Sequence, residues 1–169
     1  MTFKEKFNAN ETFGFNINKF YSVERRFEAI YLVDYISGSL LVSNNYSGRN
    51  KFKHNEDLIT GFLSAINAFI KELHNENRSE DNDIQEINFK DTRILYERKG
   101  RLMVIGISKK TNLQIEREIL QKIVRDFYNR FEHQIEDFNG IVDPDILNYK
   151  QKLKKFTNLD SINNFDIKI

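Results

Sequence analysis

Apolar and polar positions along the chain change period several times, and each change marks an element. Phe27 to Tyr35 (FEAIYLVDY) and Ser39 to Tyr46 (SLLVSNNY) are apolar runs either side of Ser37-Gly38, which predicts a β-hairpin. The loop SGRNKFKHN follows. Apolar residues then recur at helical spacing from Asp57 to about His74, with Asn55 as N-cap and Glu56 and Asp57 near the positive end of the helix dipole. Asn75 to Asp83 (NENRSEDND) is a polar loop. Three strands come next, Ile84 to Asp91, Thr92 to Lys99 and Arg101 to Ser108, with Gly100 in the second turn. A long helix spans Leu113 to Phe138, carrying Leu120, Ile123, Val124, Phe127, Phe131, Ile135 and Phe138 on one stripe; Glu118/Lys122 and Asp126/Arg130 fall on its wet face. Asn139-Gly140 ends it, and Asp143 followed by Pro144 opens a terminal helix to about Phe156.

The order is therefore β-β-α-β-β-β-α-α. Ala29 to Val33 and Leu102 to Ile107 are apolar nearly throughout, whereas Ile87/Phe89 and Ile94/Tyr96 alternate with polar residues. Strands apolar on both sides are covered on both faces, so the first and fifth strands belong in the middle of the sheet, with helices on both sides. The body is expected over 27–156 and a frayed tail over 157–169. Residues 1–26 form an extension in which Phe13, Phe15 and Ile17 alternate with polar residues, as in a short strand or extended arm. Such an arm lies across its own domain, or is swapped onto a partner.

At 169 residues and 20.2 kDa the chain holds one core. Its 26 Lys+Arg against 25 Asp+Glu force no basic face, which argues against a nucleic-acid partner. The absence of Cys removes disulfides and thiol chemistry. The first residues are too polar for a signal peptide, and the longest aliphatic run, Leu102 to Ile107, is far below the roughly 18 residues of a membrane span. A soluble, cytoplasmic protein is expected, and the sequons at Asn10, Asn45 and Asn77 reflect an Asn-rich composition.

Three segments, IYLVDYISGSLLVS with its Asp34 and Gly38 turn, DLITGFLSAINAFIKEL and INFKDTRILYERKGRLMVIGIS, together resemble the longin domain, and more closely the small archaeal longin and roadblock-like proteins. The resemblance covers roughly 27–138. It implies an α+β, longin/profilin-like fold: a five-stranded antiparallel sheet in the order 2-1-5-4-3, one helix on one face and two on the other. It also implies noncatalytic adaptors that pair with themselves or with a related longin or roadblock protein, and that serve small GTPases or membrane-trafficking assemblies. Two features depart from it: the extension before Phe27, and the lack of SNARE heptads after Phe156, which sets a SNARE aside.

Candidate chemistry is sparse. His54, His74 and His133 have no ligand-spaced partner, and neither GxxxxGK[ST] nor GxGxxG occurs, so no metal and no cofactor is expected. Asp34, Asp57, Asp83 and Asp91 sit where acids serve turns and caps. Arg49, Lys51 and Lys53, and the cluster Arg98, Lys99 and Arg101, are solvated loops or contacts for an acidic partner. The terminal helix sets Ile146, Tyr149, Leu153 and Phe156 on one stripe among lysines, the pattern of a docked helix and equally of an interfacial one, so peripheral membrane contact stays open.

In the helix over 57–74, Leu58, Ile59, Phe62, Leu63, Ile66, Phe69, Ile70 and Leu73 fill an arc of about 140°, and Gly61, Ala65 and Ala68 widen it by ~80° at roughly 100° per residue. Either the small residues let the helix approach the sheet, opposite Gly106, or they form a surface for another chain. The candidate interface is Gly61, Ala65, Ala68, Arg98 and Arg101. The alternative function is a PAS-like small-molecule sensor, whose sheet has the same order; PAS domains usually place several short helices where this chain has one long one.

Overall fold

Two apolar strands covered on both faces need partners on both edges, and they have them. The computed structural model describes residues 23–46, 61, 62, 64, 65, 68 and 85–155. Its elements are α1 (Val23–Arg26), β1 (Phe27–Asp34), β2 (Leu40–Asn45), β3 (Glu86–Asn88), β4 (Arg93–Lys99), β5 (Leu102–Ser108), α2 (Leu113–Glu136) and α3 (Pro144–Lys155). The strands form one five-stranded sheet in the order β2-β1-β5-β4-β3, with every neighbouring pair antiparallel. β1 and β5 are central, as their continuous apolar character requires. β3 is shorter than the alternation suggests because residues 89–92 close a turn, in which the Phe89 N–H donates to the Thr92 carbonyl (2.9 Å). Val23, in the stretch expected as an extension, is buried in the core. Phe13, Phe15 and Ile17 lie outside the described residues.

Strand alternation divides the buried side chains between the faces. On one face Phe27, Ile30, Leu32, Leu95, Leu102 and Val104 meet Leu120, Ile123 and Phe127 of α2 and Ile146, Tyr149 and Leu153 of α3. α2 lies over β4 and β5, and α3 over β2. On the other face Ala29, Tyr31, Val33, Ile94, Tyr96, Met103 and Ile105 make a second cluster. Gly106 belongs to the first face. A Cβ there would stand 2.5 Å from Phe27 Cε1 and 3.0 Å from Leu120 Cδ2, so Gly106 admits the Phe27 ring and α2 rather than the small residues of the helix over 57–74.

The termini of α2 and α3 explain their positions. The Asn112 side chain accepts from the Ile115 N–H at the start of α2 (3.1 Å). α2 departs from helical geometry at Phe131, and its last turn ends at Asp137, short of Gly140, which takes a positive φ of 99°. α3 opens as the sequence suggests, with the Asp143 carboxylate accepting from the Asp145 N–H (2.8 Å) and Pro144 in the first position. Its apolar stripe is buried from Ile146 to Leu153, so the helix is docked on its own domain; Phe156 lies outside the described residues. Asp126 makes the i,i+4 pair with Arg130 that the spacing implies (3.2 Å) and also reaches α3, accepting from the Tyr149 hydroxyl (2.7 Å) and Lys152 Nζ (2.8 Å).

Candidate interaction surface

Residues 61, 62, 64, 65 and 68 are helical, and Gly61, Phe62, Ser64, Ala65 and Ala68 are all exposed. A Cβ at Gly61 would meet no heavy atom within 4 Å, and Phe62 is 49% exposed. A half-exposed phenylalanine among small residues is a surface that a partner can approach closely. By sequence Phe62 belongs to the apolar arc, outside the five residues of the candidate interface. At roughly 100° per residue it stands only ~60° from Ala65, which is the signal that links it to this flank.

The β1–β2 turn touches this flank. Gly38 takes φ +72°, and Ser64 Oγ occupies the position a Cβ at Gly38 would need, so only glycine fits there. Asp34 holds the turn together from within the fold. Its carboxylate is fully buried and accepts from the Ser37 N–H (2.8 Å) and hydroxyl (2.6 Å). Arg101 grips the same carboxylate with two arms, Nε to Oδ1 at 2.9 Å and Nη2 to Oδ2 at 3.0 Å. It also donates to the carbonyls of Glu136 (3.0 Å) and Phe138 (3.3 Å), tying the β4–β5 hairpin to the end of α2. Burial by itself pushes the Asp34 carboxyl up, but the hydrogen bonds from Arg101 and Ser37 outweigh it and hold the group below the usual carboxylate range.

The two arginines named from the sequence thus differ. Arg101 is engaged inside the fold, with its side chain 20% exposed. Arg98 is exposed, its guanidinium 3.8 Å from the centre of the Tyr35 ring and its Nε donating to the Gly100 carbonyl (3.0 Å). The turn residue Tyr35 therefore brings Arg98 to the same end of the sheet as Gly38 and Ser64. Arg49, Lys51, Lys53, His54 and His74 lie outside the described residues, and His133 is exposed on α2.

The remaining buried charges serve the architecture. Glu116, with no exposed surface, accepts from the Ser108 hydroxyl (2.6 Å), the Thr111 N–H and hydroxyl (both 2.8 Å) and the Asn112 N–H (3.2 Å), closing the β5–α2 junction. In the second cluster, the Tyr96 hydroxyl is buried with no hydrogen-bond partner among the described residues, and burial pushes its phenol up to about 12. Among the described residues no group of His, Asp and Glu side chains is arranged to hold a metal ion. No helix among them is long and apolar enough to cross a membrane.

The sheet order and its helices define an α+β domain with the 2-1-5-4-3 strand arrangement that the longin resemblance implies. No family model matches the sequence, and no curated protein does. Among known structures, a chain of "Homology model of the full-length AP-3 complex in a stretched open conformation" is similar at 14% identity, covering 83% of this chain and 82% of that one with a TM-score of 0.41. The fold assignment rests on strand order and register, not on that likeness.

Proposed function

We propose that this chain is a noncatalytic interaction module that pairs, with a second copy or a related longin or roadblock-like chain, through the helical flank of Gly61, Phe62, Ala65 and Ala68. The pair then presents a composite surface to a small GTPase or a membrane-trafficking assembly. The observation that carries the pairing is the exposure of that flank together with Phe62 at 49%. The GTPase and the trafficking assembly come from the resemblance alone. Arg98, stacked on Tyr35 at the same end of the sheet, is the charge placed to meet such a partner; Arg101 contributes by holding the turn.

Light scattering after size exclusion tests the pairing. A dimer near 40 kDa is expected, twice the 20.2 kDa chain. Ala65→Glu should convert it to a folded monomer, because the carboxylate would be desolvated in the interface and is harmless on an exposed flank. A monomeric wild type at tens of micromolar removes the homodimer. For the GTPase, pulldown hits retested in GDP-bound, GTP-analogue and nucleotide-free states should include one, and binding should weaken with salt.

One observation favours the second reading, a small-molecule sensor. The buried Tyr96 hydroxyl offers a polar handle inside an otherwise apolar cluster. A metabolite that raises the melting temperature by several degrees in the parent chain and not in Tyr96→Phe would establish it.

A further inference from the structure

We infer that the opposite end of the sheet, where β3 turns into β4 and β5 leads into α2, is a docking surface for an acidic peptide segment with an apolar anchor. It is separate from the 61–68 flank and does not depend on chain pairing.

Backbone geometry gathers cations at this end. The Lys109 N–H donates to the Arg26 carbonyl (2.8 Å), Arg93 pairs with Ser108 across β4 and β5, and Lys110 Nζ donates to the carbonyls of Phe89 and Lys90. These contacts set Arg25, Arg26, Lys90, Arg93, Lys109 and Lys110 around one end of a chain whose net charge is only +1. Among the described side chains, Glu116 is already saturated by hydrogen bonds, and Glu28 on β1 and Asp91 at the tip of the β3–β4 turn are the carboxylates beside these cations.

Within this basic rim stand Phe89 (47% exposed) and Leu113 (38% exposed), on the two segments that Lys110 ties together. A single exposed apolar side chain is ordinary; an aromatic and an aliphatic one ringed by Arg and Lys have the composition of a protein-binding centre. The outward cations select an acidic occupant: Arg25 and Lys90 are exposed and Lys109 and Lys110 half-buried, whereas Arg26 donates to Thr111 (2.8 Å) and Arg93 faces Glu116 within the fold. Arg93 is 15% exposed, and its buried Nε and Nη1 have no hydrogen-bond partner among the described residues; Glu116 Oε2 lies 3.8 Å from Nη1. A peptide can set its carboxylates beside the exposed cations while its apolar residue covers Phe89 and Leu113.

The test is selection of a random peptide library displayed against the full chain, followed by titration of a synthetic consensus peptide. Enrichment of Asp and Glu around an apolar residue is expected. Affinity should fall at least roughly tenfold in Lys90→Glu and in Phe89→Ser, fall with salt, and be unchanged in Ala65→Glu. Arg25→Glu serves as a second charge reversal if either variant loses its circular dichroism. Peptides without acidic enrichment, or equal affinity of the consensus peptide for parent and variants, would overturn the assignment. Tighter binding of phosphatidylserine vesicles or a single-stranded oligonucleotide through the same residues would replace it with lipid or nucleic acid.

Discussion

Replacing Arg101 by alanine tests whether its charge is structural. The substitution removes both arms on Asp34 and the donors to the Glu136 and Phe138 carbonyls, which sit near the surface and can take water instead. The buried Asp34 carboxylate retains only the Ser37 N–H and hydroxyl. Breaking a buried pair costs ~3–5 kcal/mol; the guanidinium here is 20% exposed and two bonds to the carboxylate survive, so ~2–3 kcal/mol is expected. In a domain of this size that lowers the melting temperature by ~4–12 °C. Urea unfolding of parent and variant at pH 7 measures it. The pH dependence has a definite sign. Asp34 is held below its ordinary pKa, so the pair's contribution is complete above about pH 4 and is lost as the pH falls through the folded-state value. The stability gap between parent and Arg101→Ala should therefore be full at pH 7 and narrow at more acidic pH. A loss under ~0.5 kcal/mol at pH 7, or a gap that stays constant down to pH 3, would refute the clamp.

Two further substitutions probe the packing. Gly106→Ala drives a methyl group to within 2.5 Å of Phe27 Cε1 and should cost ~1–3 kcal/mol in urea unfolding; a neutral result would mean that the ring is free to shift. Glu116→Ala leaves Arg93 without its counter-charge and strands the donors of Ser108, Thr111 and Asn112, for an expected loss of ~3–5 kcal/mol; hydrogen exchange should show the first turn of α2 opening first, and unchanged protection there would contradict the role given to Glu116.

The fold was legible because its signals are local or periodic. The uninterrupted apolar runs at Ala29 to Val33 and Leu102 to Ile105 place β1 and β5 centrally, and Asp143-Pro144 marks the start of α3 to the residue. Tertiary partners were not legible. Helical spacing gives the Asp126–Arg130 pair, but nothing local signals that Lys152 and Tyr149 reach the same carboxylate from another helix. Arg101 looks like a surface charge until folding brings Asp34, distant in sequence, beneath it. Glu116 falls at a position that could be solvated, and only the return of β5 beside β4 buries it with Arg93. Phe62 is the converse, counted with the apolar stripe by type while it stands half in solvent.

The central pairing of β1 with β5 also orders events at the ribosome. β1 and β2 are adjacent in sequence and can form a hairpin early, but the other edge of β1 pairs with Leu102 to Ser108. About 60 residues separate the end of β2 from the end of β5, several seconds of synthesis at ~5–20 residues per second. For that interval a nearly uninterrupted apolar strand presents an open edge to neighbouring nascent chains, the arrangement most exposed to misassembly. β4 and β5, joined by the tight turn at Gly100, form a local hairpin whose docking onto β1 closes that window. The sheet's centre, its most buried region once folded, is thus the last part of it to be protected.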